Sequence, residues 1–442
     1  MAMDSFKKWI TSNSLVLFIL AVYILLSVIK IEHPGVNNDQ LMFVNTATLN
    51  PDNFFLWKSF HGVPMMIFPY IGALKSYLYM PIFFAFGVNI WSIRLPQIIL
   101  IAVTWFLLYK TLKLGFNNKL AILALIFLSI DPSLIAYSKV DVGPTVLEFF
   151  FKVLSIYLCF LYLSTKNKLL YFCIFPVLAL GIFNKINFFW FVNAFMLSFI
   201  IFYGKWFYND FKSFGKFIPP VLIVTPYYLL LRFFMKLSRE TALSYKVFGS
   251  EVSFNNIISN FPIFYKNLTE IINGNFFFNM IYGYNPTAIG AYINALTVLI
   301  MLVGISLIIF KHRLNQKPYY FVISLILLLI LQILMTKRAI SAWHVLVIYP
   351  FFTVIFVAAI LQIHNLIKSR LFKSVFASLI VVMFFYQLLV NYIYLSKYSQ
   401  PTKSIAYSSA IYDLINFAKD TKAKFVCLDV DICNQLLSFT QQ

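Results

Sequence analysis

Long apolar runs separated by lysine-bearing breaks constrain this chain more than any other feature. A helix needs roughly 20 apolar residues to cross about 30 Å of hydrocarbon. Eleven stretches meet that need: 15–31, 95–112, 120–137, 144–163, 169–183, 188–203, 217–235, 288–310, 319–335, 345–363 and 375–395. Of the 442 residues, 61% are hydrophobic and 11% charged, a balance that soluble domains do not reach. The 51 Phe and 27 Tyr, spread over the whole length, exclude disorder and a coiled coil. The run at 15–31 follows Lys7 and Lys8 and has no small-residue cleavage site after it, so it reads as an anchor. Four Cys are too few for a disulfide framework.

The net charge of +20 would suit a polyanion partner, but its distribution suits a membrane better. Alternate breaks carry Lys110, Lys113 and Lys119; Lys166 and Lys168; Lys205, Lys212 and Lys216; Lys311, Arg313 and Lys317; Lys368, Arg370 and Lys373. With Lys7 and Lys8 these fall on one side, where the acids are Asp4 and Asp210. The other acids, among them Glu32, Asp39, Asp52, Asp131, Asp141, Glu240, Glu251 and Glu270, lie on the opposite side. The positive-inside rule makes the basic side cytoplasmic. The expected protein is therefore a multi-pass protein of the cell (inner, cytoplasmic) membrane, with a cytoplasmic N-terminus and an extracytoplasmic C-terminus. It needs membrane lipids and no nucleic acid to explain its charge.

The fold class expected is an all-α polytopic membrane protein of about eleven transmembrane helices, with outer interfacial helices and a short α/β extracytoplasmic tail. Residues 1–395 form the transmembrane domain and 396–442 the tail. A first outer loop spans 32–94. Inserting its amphipathic stretch, 64–86, would reverse every later loop, so that stretch is expected to lie along the interface as a helix, where Trp57, Tyr70, Tyr77, Tyr79 and Trp91 suit the headgroup layer. A second outer loop spans 236–285. In the tail, 411–418 reads as a short amphipathic helix and 424–428 as a strand, too little to form an independent domain.

Ionisable groups near a bilayer are expensive, about 2.5–3.5 kcal/mol each at a helix centre, and default to functional candidates. Asp39, in Gly35-Val36-Asn37-Asn38-Asp39-Gln40, is a carboxylate able to take a proton from a hydroxyl or to hold a divalent cation. Alone it would read as a solvated loop acid. Asp141 precedes a helix opened by Pro144, a residue suited to the first turn. At 100° per residue Asp141, Glu148 and Lys152 share one face, and Glu148 with Lys152 reads as an internal i,i+4 salt bridge. Lys139, Lys185, Lys337 and Arg338 lie at outer helix ends where cations are disfavoured. A phosphate would account for them, as would snorkelling to headgroups. Glu148, His344, His61 and Arg94 complete the candidate substrate-site residues, although a lone His at a helix end is more often structural. No metal is certain, with Asp39 and Asp141 the candidate ligands, and no P-loop, Gly-x-Gly-x-x-Gly, zinc spacing or Gly-x-Ser-x-Gly motif occurs.

The order of these features resembles the GT-C superfamily of membrane glycosyltransferases, in particular the protein O-mannosyltransferase and aminoarabinose-transferase branch. The likeness rests on one acid in a long first outer loop, a Pro-bearing interfacial helix, Arg94-Leu95-Pro96, Asp131-Pro132, Lys139 to Asp141, the Lys185 string and His344 to Pro350. It implies inverting transfer of a sugar from a polyprenyl-phosphate donor to a hydroxyl of a protein, glycolipid or glycan on the extracytoplasmic side. Asp39 would match the catalytic first-loop acid, Asp141 the second acid and Lys185 a donor-phosphate contact. Three positions depart from the pattern: Gln40 where the family carries a second acid, Lys139 where it carries Arg, and Gly62-Val63-Pro64 at the entry to the interfacial helix. Two rivals remain, a transporter or flippase of lipid-linked saccharides and a polysaccharide polymerase or ligase built on Arg239 and His344.

Overall fold

The computed structural model describes residues 2–49, 58–68, 70–212, 252–283, 287, 289–310, 316–336, 341–398, 400, 402, 407–421 and 430–440. Lys337, Arg338, Arg239, Trp57, the expected span 217–235 and the expected strand 424–428 lie outside them.

Helix α1 (Ala2–Val28) leads to α2 (Asn38–Ala47), then to a small antiparallel sheet of β1 (Lys58–Phe60), β2 (Val63–Phe68) and β3 (Ile71–Gly72). Helices α3 (Leu74–Phe86), α4 (Ile90–Gly115), α5 (Asn118–Ser129), α6 (Pro132–Val140), α7 (Thr145–Thr165), α8 (Lys168–Asn184) and α9 (Phe188–Lys212) follow. After the undescribed stretch come α10 (Asn255–Ile272), α11 (Asn275–Tyr282), α12 (Gly290–Phe310), α13 (Lys317–Met335), α14 (Ala342–Val345), α15 (Phe351–Leu366) and α16 (Arg370–Lys397). Two tail helices, α17 (Ala410–Thr421) and α18 (Val430–Thr440), end the chain's described part.

This is a multi-pass membrane protein. Six described helices, α4, α7, α9, α12, α13 and α16, are long and apolar enough to cross a bilayer by themselves. Two bent pairs meet the same test jointly: α5 with α6, bent by 60°, and the segment Ala342–Ile348 with α15, bent by 52°. The apolar parts of α1 and α8 are shorter. The expected count of eleven is therefore not reached among the described residues. Apolar runs mark where helices form, but prolines at 132 and 350 divide two of them, because proline cannot donate to the preceding turn.

The first outer loop also departs from expectation. The stretch 64–86 is not one helix: 63–68 pairs as a strand, and only 74–86 is helical. Phe84 and Phe86 of α3 are exposed. Tyr79 is buried instead, its hydroxyl donating to the Ile93 carbonyl at 2.8 Å and tying α3 to α4. In the tail the expected helix is present, and a second, α18, packs with it against the outer loop.

Candidate active site

Chemistry gathers where β3, α3, the α6–α7 turn and the α8–α9 turn meet. Pro132 suits the first turn of α6 and Asp131 caps it, its Oδ1 accepting from the Leu134 N–H at 3.1 Å, the arrangement an N-cap favours. At the other end of α6, Asp141 adopts φ +27°, a left-handed conformation tolerated by short polar residues. Its Oδ1 accepts from the Val146 N–H of α7 at 3.0 Å, which fixes the carboxylate in the turn.

The other oxygen of Asp141 receives an ion pair from Lys75 on α3, Nζ to Oδ2 at 2.5 Å, with both side chains buried. Lys75 also lies 4.6 Å from the Phe43 ring centroid of α2, a cation–π contact. Burial pushes the Asp141 carboxyl up and the Lys75 ammonium down, each toward its neutral form, and each charge pulls the other back. Lys75 was not among the sequence candidates. The signal for it was present: it is a cation in the loop expected to lie outside, where the same argument selected Lys139 and Lys185.

Asp39 lies in the first turn of α2 and is half-exposed. Its charge favours the protonated form of Lys75 after that of Asp141, so both carboxylates act on one cation. Lys185 closes the group. It sits at the end of α8, where Ile71 of β3 pairs with it and the Ile186 N–H donates to the Tyr70 carbonyl at 3.0 Å. Gly72 allows this approach, since a Cβ there would collide with the Phe183 carbonyl. The Lys185 ammonium reaches the Gly143 turn, within 3.5 Å of where a Cβ would stand, and its charge helps hold Asp141 ionised.

The other candidates take different places. Arg94 is fully buried and donates to the Ile31 carbonyl at 2.7 Å, the Gly35 carbonyl at 3.2 Å and Gln40 Oε1 at 3.1 Å. The Lys139 ammonium is used by the Ile29 carbonyl at 2.7 Å and lies over the Tyr398 ring. Glu148 and Lys152 do not form the expected salt bridge. Lys152 donates instead to the Val347 and Tyr349 carbonyls at 2.9 and 3.0 Å, which the break at Pro350 leaves without helical partners. Both Glu148 oxygens are buried without a hydrogen bond. His344 is half-buried beside Trp190, ring centroids 5.8 Å apart. His61 is exposed at the β1–β2 turn. Among the described residues no three His, Cys, Asp or Glu gather as a metal cradle, and the candidate ligand Asp141 is paired with Lys75 instead.

Residues 73–229 match the family model of dolichyl-phosphate-mannose-protein mannosyltransferases, a segment that begins just before Lys75 and contains Asp141 and Lys185. The chain also aligns over 98% of its length with ArnT from Cupriavidus metallidurans bound to undecaprenyl phosphate, at TM-score 0.58 and 8% identity, covering 85% of that chain. Over residues 73–229 the chain resembles the mannosyltransferase family, and over its whole length it has the fold of ArnT. The chain aligns over 98% of its length with an oligosaccharyltransferase from Archaeoglobus fulgidus tethered to an acceptor peptide, at TM-score 0.54 and 12% identity, and over the same share with AglB of that organism in complex with an inhibitory peptide and a dolichol-phosphate, at TM-score 0.51 and 12% identity. It spans 64% of the length of these two archaeal chains. At such identities the likeness is one of fold. No curated protein matches the chain by sequence.

Proposed function

We propose that the transferase moves a sugar, with inversion, from a polyprenyl-phosphate carrier to an acceptor hydroxyl at the extracytoplasmic face of the membrane. The observation that carries this reading is the convergence of Asp39, the Lys75–Asp141 pair and Lys185 at one rim of the helix bundle. Asp39 takes the acceptor proton as the acceptor oxygen attacks the anomeric carbon. The bond from that carbon to the phosphate oxygen breaks, and its electron pair leaves with the polyprenyl phosphate. That phosphate is a good leaving group, so the reaction needs no general acid, unlike glycoside hydrolysis with its two carboxylates. Lys185 and Lys75 compensate the charge that grows on the departing phosphate, and Asp141 orients Lys75.

On this reading Arg94 and Lys139 shape the site by holding backbone carbonyls and do not touch the donor. The binding of undecaprenyl phosphate by one structural neighbour and of dolichol-phosphate by another supports a polyprenyl-phosphate donor. The acceptor peptide of a third supports a protein acceptor. Outer placement follows from the positive-inside rule, and because nucleotide sugars stay in the cytosol, a lipid-carried donor suits it.

The test is turnover of purified Asp39→Asn with polyprenyl-phosphate-linked sugars. General-base catalysis contributes about 10²–10⁴-fold, so release of polyprenyl phosphate is expected to fall by about that factor with the donor KM unchanged. Full activity would overturn the assignment of Asp39 as the base.

A further inference from the structure

Helix α2 is buried on all sides from Gln40 to Ala47, and only Asn38 and Asp39 at its start are half-exposed. Ten residues make too short a helix to hold its shape by propensity, so neighbours must fix it. On one side Ser76 of α3 donates to the Phe43 carbonyl at 3.0 Å. On a second, Gln40 donates to the Lys139 carbonyl at 2.6 Å and accepts from Arg94.

The third wall comes from almost four hundred residues later in the chain. The Gly35 N–H donates to the Tyr407 carbonyl at 2.8 Å, and the Tyr412 hydroxyl donates to the Glu32 carbonyl at 2.9 Å. Gln435 donates to the Val36 carbonyl at 2.7 Å, and the Ser438 hydroxyl donates to Asn45 Oδ1 at 2.5 Å. Phe439 and Tyr412 pack on the cluster that includes Val36, Leu41 and Phe43. A Cβ on Gly35 would collide with the Ser408 carbonyl, so this position accepts the tail only as glycine.

These bonds fall on either side of Asp39, just before α2 and near its far end. The described tail segments add no charge to the Lys75–Asp141–Lys185 group. We propose that α17 and α18 form a clamp that positions Asp39, with Ser438 and Gln435 as positioning residues. The proposal rests on the reading of Asp39 as the base. A displacement of about 1 Å at a reacting group lowers rate by up to about 10²-fold, whereas the donor phosphate, held by Lys75 and Lys185, is left in place. The clamp therefore acts on kcat and spares the donor KM.

The experiment compares the full-length wild type with Gln435→Ala/Ser438→Ala, and separately with Gly35→Ala, by hydrogen exchange of the α2 amides and by steady-state kinetics with a polyprenyl-phosphate-linked sugar. Faster exchange across 38–47, a kcat lowered by about 10-fold or more and an unchanged donor KM are expected. Where the double variant fails to fold, Ser438→Ala alone is read in the same way. Unchanged α2 exchange, or loosened α2 with full kcat, overturns the clamp. Donor KM and kcat worsening together with the melting temperature also overturn it, since the tail would then merely stabilise the fold. If Asp39→Asn retains full turnover while the clamp variants still loosen α2 and lower kcat, the base assignment falls and the positioning of the loop stands.

Discussion

Two regions of this protein bury cations, and they satisfy them differently. Around the α6–α7 turn, Lys75 meets a carboxylate and Lys185 lies beside the same turn. Around the breaks at 29–35 and 347–349, Arg94, Lys139 and Lys152 meet backbone carbonyls. A carbonyl carries a partial charge and cannot leave the chain, so a cation bound to it is a structural tie. A cation shared among mobile or ionisable groups can redistribute its interaction when a phosphate arrives. Sequence position does not separate the two kinds, since Lys75 and Lys185 of the first and Arg94 and Lys139 of the second all lie at or near helix ends.

The sharpest way to break this comparison is Lys75→Met. Removing one partner of a buried pair is destabilising by about 3–5 kcal/mol, and turnover should disappear with it. Replacing both partners, Lys75→Met with Asp141→Leu, should recover most of the thermal stability in detergent and none of the activity. Recovered turnover in the double variant would place Lys75 among the structural ties.

Arg94→Met should come next. It strips donors from two carbonyls and from Gln40, at about 1–3 kcal/mol for each buried acceptor left unsatisfied. The expected result is a loss of roughly 3 kcal/mol in unfolding stability with an unchanged donor KM for the molecules that remain folded. A smaller effect is expected for Gly72→Ala, whose Cβ meets the Phe183 carbonyl. Overpacking of this kind amounts to about 1–3 kcal/mol, and the shifted Lys185 turn should raise the donor KM while leaving α2 exchange as in the wild type.

The smallest effect concerns pH. Burial holds His33 below its ordinary value. Below about 6.5 the unfolded chain therefore binds more protons than the native one at this residue. The stability His33 contributes is present above that value and is lost as pH falls through the lower native value. Melting temperatures at pH 8 and pH 5 should diverge less in His33→Gln than in the wild type.

Much of this architecture was legible beforehand. The apolar runs located most of the helices, because span length is set by the bilayer itself. Asp141 was legible through its place before a proline-opened helix. Lys75 was hidden inside a stretch that read as one amphipathic helix, because the strand 63–68 and the helix 74–86 are both mainly apolar runs and no composition change marks the break between them. The Glu148–Lys152 pair was misread for a different reason. Helical spacing brings two side chains to one face, but the carbonyls freed near Pro350 compete for Lys152, and nothing local to α7 announces them. The contact of α18 with α2 could not be read at all, since no local pattern links Ser438 to Asn45.

The account stands most directly on donor affinity. Binding of a polyprenyl phosphate to the purified protein should weaken by about 10-fold or more in Lys185→Met, as expected for one charge-assisted contact of about 1.5–3 kcal/mol, and should be unchanged in Lys139→Met. Equal weakening in both, or none in Lys185→Met, would contradict the division between cations that hold the phosphate and cations that hold the chain.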